Sequence, residues 1–195
     1  MLESGEISNA AVADWPAEDV RDIAATRAGD GEAFRNLIRR YQEAMAVQMR
    51  RFSRDPRVSE ELVHDVFVEA YLSLHSYRGS APWLHWLRRI AVRIGYRFWK
   101  QQQANRNRVQ LSADDWQRLR GAIAAPCETS AAAELVVALL DRLPPADRLI
   151  LTLVYFEDCS LAEAAAQAGW TVMGAKLRAF RARKKLKRLI ERGDS

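Results

Sequence analysis

Covalent chemistry needs a nucleophile beside a base, or a cluster of metal ligands, and residues of those types are scattered in this chain. The histidines stand at 64, 75 and 85 and the cysteines at 127 and 159, with no Cys-x-x-Cys pair and no metal-ligand spacing. No Ser/His/Asp or Cys/His constellation appears either. The expectation is no catalytic residue, no metal and no cofactor, hence no enzyme. What the residues can do is non-covalent. From Gly79 to Arg108 there are seven Lys/Arg and no acid. From Thr171 to Ser195 nine Lys/Arg face only Glu191 and Asp194, a local net charge of +7 against +5 for the whole chain. Two separated basic blocks are what a two-point contact with a nucleic acid needs. In the first block Arg89, Arg93, Arg97 and Lys100 form one helical stripe, with Trp86 and Tyr96 beside it. Cations hold phosphates while rings stack on bases, a combination suited to single strands. Two solvated helix faces would carry the same charges, and Trp83 reads as core.

The elements that must position these residues read as helical nearly throughout. The 195 residues, 49% hydrophobic, allow one ordinary domain or two small ones. Residues 17–28 predict a short helix. Beyond Gly29-Asp30-Gly31, the series Phe34, Leu37, Ile38, Tyr41, Met45, Met49 and Phe52 repeats at three and four. After Asp55-Pro56, Ser59 is the expected N-cap of a helix 59–77 whose buried stripe includes Leu62, Val63, Val66, Phe67, Ala70 and Leu74. Pro82 opens a helix to about Gln102, with Trp83, Leu87, Ile90, Ile94 and Phe98 on its apolar stripe. Residues 103–130 read as a linker in which a short helix around Trp116 is possible. A second helical module follows, with one helix from Leu135 to Leu143 and the next opened by Pro144-Pro145.

The sharpest local pattern lies at its end. Ser160 and Glu163 form a capping box, Leu161 to Ala168 is a short alanine-rich helix, and Gly169 supplies its left-handed stop. A three-residue turn then leads into a helix from Val172 to Ile190. Val172, Ala175, Ala179, Ala182, Leu186 and Leu189 mark its inner face, and Lys176, Arg181, Lys184, Lys187 and Arg188 its outer one. That is the build of a helix-turn-helix.

On these residues the chain resembles the extracytoplasmic-function sigma factors, the smallest branch of the sigma-70 family, over roughly 20–102 and 131–190. Asp30-Gly31-Glu32-Ala33-Phe34 with Leu37, Ile38 and Tyr41 is similar to the family's opening helix. His64-Asp65-Val66-Phe67-Val68-Glu69-Ala70-Tyr71 resembles its polymerase-docking helix, with His64 where glutamine is usual. Tyr77-Arg78-Gly79 and Trp83-Leu84-His85-Trp86-Leu87-Arg88-Arg89-Ile90-Ala91 resemble its promoter-melting helix. Leu143-Pro144-Pro145, Arg148, Leu151, Tyr155-Phe156-Glu157, Ser160 and Glu163 resemble the entry into its helix-turn-helix. Arg93, Met173-Gly174-Ala175 and Leu177 depart from the residues usual at their places.

The resemblance implies an all-α chain of two small helical domains joined by a flexible linker. The expected boundaries are an N-terminal tail 1–16, a region-2-like domain 17–104, a linker 105–130 and a region-4-like domain 131–192. Glu61, His64, Asp65 and Phe67 are then expected to bind core RNA polymerase at the beta-prime clamp. Trp86, Arg89, Arg93, Tyr96, Arg97 and Lys100 would bind the minus-ten element. Thr171, Met173, Lys176, Leu177, Phe180, Arg181 and Lys184 would bind the minus-thirty-five element. The beta flap, promoter DNA and an anti-sigma factor complete the implied partners. No apolar run approaches a membrane span, and the polar N-terminus is not expected to act as a signal peptide. The expected location is the cytoplasm, with an anti-sigma factor able to hold the chain at the inner membrane face. Two other readings stay open: a helix-turn-helix regulator acting without polymerase docking, and a sigma-like adaptor that binds only proteins.

Overall fold

A computed structural model describes residues 16–108 and 131–193. The regular elements among them are all helical. They are α1 (Ala17–Arg27), α2 (Gly31–Met49), α3 (Pro56–Leu72), a 3-10 turn (Leu74–Ser76) and α4 (Trp83–Arg108), then α5 (Ala131–Asp141), α6 (Pro145–Tyr155), α7 (Leu161–Ala168) and α8 (Val172–Gly193). The chain divides into two compact units, one up to Gly95 and one from Tyr96 onward. Helix α4 runs to Arg108, six residues beyond the expected Gln102, so the first residues of the expected linker are helical. The short helix expected around Trp116 lies outside the described residues.

In the first unit the apolar stripe of α2 is buried as its spacing requires, through Phe34, Leu37, Met45 and Met49. The helix itself closes at Met49, so Phe52 reaches the core from the turn beyond it. Asp30 caps α2 by accepting from the backbone N–H groups of Glu32 (2.8 Å) and Ala33 (3.3 Å). The expected start of α3 at Ser59 is corrected. Asp55 is the N-cap, accepting from the Arg57 N–H at 2.9 Å, and Pro56 follows it. Proline suits the first helical position because its missing N–H would have had no partner there. Ser59 is instead a buried residue of the first turn. The expected end at residue 77 is shortened too, since α3 closes at Leu72 and the 3-10 turn takes over.

Helix α1 is held by charge as much as by apolar contact. Asp19 and Asp22 are buried, yet both face Arg40, which donates to Asp19 and, at 2.8 Å, to Asp22. The Tyr41 hydroxyl also donates to Asp19. Buried carboxylates need such partners, because leaving one unpaired costs on the order of several kcal/mol. Burial first, and then the Asp19 carboxylate, push the Tyr41 phenol well above its ordinary range. The Tyr77 phenol is raised in the same way. At the far end of α1, Arg27 donates to the carbonyls of Leu74 and Tyr77, tying α1 to the connector that leads into α4. On α4, Gly95 meets the ring of Phe52: a Cβ there would stand 2.2 Å from the nearest ring carbon. Glycine is required by that close approach.

The second unit packs α6 and α7 against α8. Leu149, Ile150, Leu151 and Leu153 of α6 form its core with Ala164 and Ala165 of α7 and Ala175, Ala179 and Ala182 of α8. Small residues on both α7 and α8 let the two backbones approach closely. The Ser160–Glu163 capping box is formed in both directions, and Gly169 ends α7 at φ +70°. Val172, expected on the inner face, is exposed instead.

Candidate nucleic-acid interface

Three helix faces carry the residues with binding chemistry, and each can be built from its own helix. On α3, Glu61, His64 and Asp65 are exposed. Phe67, expected to contact a partner, is 5% exposed and packs in the core, so it supports the helix rather than presenting a ring. Reading α3 as one apolar stripe missed a second feature. Val68, Tyr71 and Leu72 are also exposed, Leu72 by 66%. Glu61, Asp65, Val68 and Leu72 recur at four, three and four, so acid and apolar residues share one face. The motif His64–Tyr71 and the Leu72 that follows it contained the signal, since Val68 and Leu72 fall out of step with the core positions Leu62, Val66 and Ala70. The chemistry offered is attraction of a basic surface followed by apolar contact.

On α4 the expected stripe is real in its geometry. Arg89, Arg93, Arg97 and Lys100 are exposed, while Trp86 and Tyr96 are half-buried beside them. The Lys100 ammonium lies 5.7 Å from the centre of the Tyr96 ring. Trp83 is buried, as read from the sequence. Its ring stands 4.9 Å from Trp86 and 5.4 Å from Tyr77, with Tyr77 and Trp86 5.2 Å apart. Trp86 is therefore braced by two further rings while keeping part of its surface open. A braced ring loses little entropy when a base stacks on it, and such stacking is worth about 1–3 kcal/mol per base.

On α8 the structure sorts cations that the sequence only counts. Lys185 is bound to Asp147 of α6 at 2.5 Å. Arg183 donates to the Tyr155 hydroxyl at 3.3 Å, and the Arg178 guanidinium lies 4.6 Å from the centre of the Trp170 ring. Lys187 faces Glu191 one turn on, at 3.8 Å. Lys176, Arg181, Lys184 and Arg188 are exposed, and no ion pair among the described residues engages them. Between them Met173, Leu177 and Phe180 are exposed by 74%, 49% and 60%. Thr171 serves first as a cap, its hydroxyl oxygen accepting from the Gly174 N–H at 3.1 Å.

An exposed helix of this kind, preceded by a capped short helix and a left-handed glycine turn, matches a known sequence pattern. Residues 133–186 match the family description Sigma-70, region 4, and residues 37–105 match Sigma-70 region 2. The RNA polymerase sigma factor CnrH of Cupriavidus metallidurans is 30% identical over 187 residues, covering 89% of this chain and 96% of that protein. The chain belongs to the sigma-70 family. Its branch is the extracytoplasmic-function (ECF) one: the ECF RNA polymerase sigma factor SigM of Bacillus subtilis is 30% identical over 144 residues, 72% of this chain and 85% of SigM. Solved structures agree on the fold of this sigma factor. That of CnrH in complex with the cytosolic domain of CnrY covers 91% of the chain and 99% of its own, at 25% identity and a TM-score of 0.56. The sigma factor RpoE in complex with the anti-sigma factor NepR, from Bartonella quintana, covers 81% and 96% at 21% identity and a TM-score of 0.57. No helix among the described residues is long and apolar enough to cross a membrane.

Proposed function

We propose that this ECF sigma factor binds core RNA polymerase and directs promoter-specific initiation through the three faces just described. The single observation that carries the reading is their order: acid and apolar residues on α3, cations and rings on α4, and unengaged cations on α8 of a helix-turn-helix. Residues 17–104 act as the polymerase-binding and minus-ten domain and 131–192 as the minus-thirty-five domain that also meets the beta flap, with 105–130 joining them. Glu61, His64 and Asp65 dock on the beta-prime clamp with Val68 and Leu72 supplying apolar contact, while Phe67 holds the helix in shape. Trp86, Arg89, Arg93, Tyr96, Arg97 and Lys100 capture the opened strand, where ring stacking and phosphate contacts offset the unstacking of bases. Lys176, Arg181 and Lys184 contact the upstream duplex alongside Met173, Leu177 and Phe180, and Thr171 positions the helix start.

Transcription chemistry belongs to the polymerase, and this chain supplies recognition only. An anti-sigma factor that covers the docking and DNA faces would hold it silent, in the cytoplasm or at the inner membrane face; the sigma factor RpoE has been solved in complex with an anti-sigma factor, NepR. Gel filtration with core polymerase followed by run-off transcription tests the reading. Co-elution and discrete transcripts support it. Specific DNA binding without co-elution would replace it with a regulator that acts without polymerase docking.

A further inference from the structure

We infer that α8 reads its duplex through thymine methyl groups, with Met173, Leu177 and Phe180 as the contacting side chains. The inference rests on the reading above, that α8 enters a major groove, and names what it would recognise there. Met173, Leu177, Phe180 and Lys184 recur at four, three and four, so they share one face of the helix, opposite the buried Ala175, Ala179 and Ala182. The centre of that face is apolar over its first two turns, the part of a recognition helix that reaches base edges. The residues that could pair with guanine, Lys176, Arg181 and Lys184, stand at its borders and its far end, and no asparagine or glutamine that would pair with adenine lies on it. The apolar feature on the major-groove edge of a base pair is the C5-methyl group of thymine.

Charge supports DNA as the occupant that this face reads. Cations of α8 that lean toward its own fold are engaged, Lys185 by Asp147, Arg183 by Tyr155 and Arg178 by the Trp170 ring. Those flanking the apolar stripe, Lys176 and Arg181, and those continuing it, Lys184 and Arg188, are exposed and unengaged among the described residues. A protein laid on the stripe, such as the anti-sigma factor proposed above, would need carboxylates at its borders to meet these cations. A groove walled by phosphates receives both at once, methyls against the stripe and phosphates against its borders.

The test uses the full chain assembled with core RNA polymerase. Bound duplexes are selected from a randomised pool, and each thymine of the recovered upstream site is replaced in turn by uracil, which lacks only the methyl. The expected loss is about fourfold in affinity per contacted methyl, the change that one buried CH₂ group gives. Leu177→Ala or Phe180→Ala should abolish the sensitivity at the same positions. Uracil tolerated everywhere would overturn the methyl readout while leaving duplex recognition standing. A pool with no enriched upstream site would overturn the duplex reading and this inference with it. Variants that keep wild-type uracil sensitivity, but lose a co-purifying protein, would reassign the stripe to that partner and sink the inference.

Discussion

Lys185 stands 2.5 Å from the buried carboxylate of Asp147, while its sequence neighbour Lys184 points into solvent. Two adjacent lysines on one basic helix therefore have different tasks. Lys185→Ala leaves Asp147 buried without its cation and should cost about 1–3 kcal/mol of stability, read as a lower thermal midpoint. Its effect on the salt dependence of DNA binding should be small. Lys184→Ala should leave the midpoint unchanged and lower the slope of log affinity against log salt by about 0.9, the value of one lost phosphate contact.

Gly95 and Phe52 give a packing test in the first unit. A methyl at 95 would strike the ring at 2.2 Å. Overpacking costs about 1–3 kcal/mol, against a gain of up to about 1 kcal/mol in helix propensity. Gly95→Ala should therefore be destabilising in urea unfolding, and Phe52→Leu in the same chain should recover part of the loss.

Alkaline pH should unlatch α1 from α2. Tyr41 and Tyr77 have phenols raised above their ordinary value by burial and by Asp19, whereas in the unfolded chain they titrate near about 10. The folded state then holds more protons above that pH. The stabilising contribution is complete below about pH 10 and is lost as pH rises beyond it. Tyr41→Phe should make the fall of the thermal midpoint with pH less steep.

Docking on α3 is open to a charge reversal. Asp65 is exposed on the face it shares with Val68 and Leu72. Asp65→Lys should leave the helical circular dichroism unchanged and weaken co-elution with core polymerase at moderate salt. Equal co-elution would remove α3 from the docking surface.

Much of this architecture was legible in the sequence, for reasons particular to each element. The helix-turn-helix was readable because a capping box, a stop glycine and a helix-period alanine series are local signals. The stripes of α2 and α4 were readable because their apolar residues keep helical spacing. Ser59 misled because a serine before two glutamates resembles a cap, while Asp55-Pro56 four residues earlier does the capping. The latch of Asp19 and Asp22 on Arg40, the Gly95–Phe52 contact and the engagement of Lys185 were not readable. Each joins residues distant in sequence, and neither residue type nor period marks which partner a charge will find. Phe67 drew two conflicting readings, buried by its place in the apolar stripe and a polymerase contact by its place in the motif, and its burial follows the stripe.

Under the proposed function this chain, with core polymerase, opens promoter DNA and holds the melted strand on α4. Permanganate footprinting of a linear promoter, drawn from host fragments that the reconstituted complex selects, measures this directly. Thymines near the minus-ten element should become reactive when core and chain are both present. Arg93→Ala and Tyr96→Ala should weaken that signal more than they weaken initial promoter association, and a pre-melted template should restore it. A promoter bound by the chain but unreactive in the presence of core, or a wild-type signal from both variants together, would contradict the account.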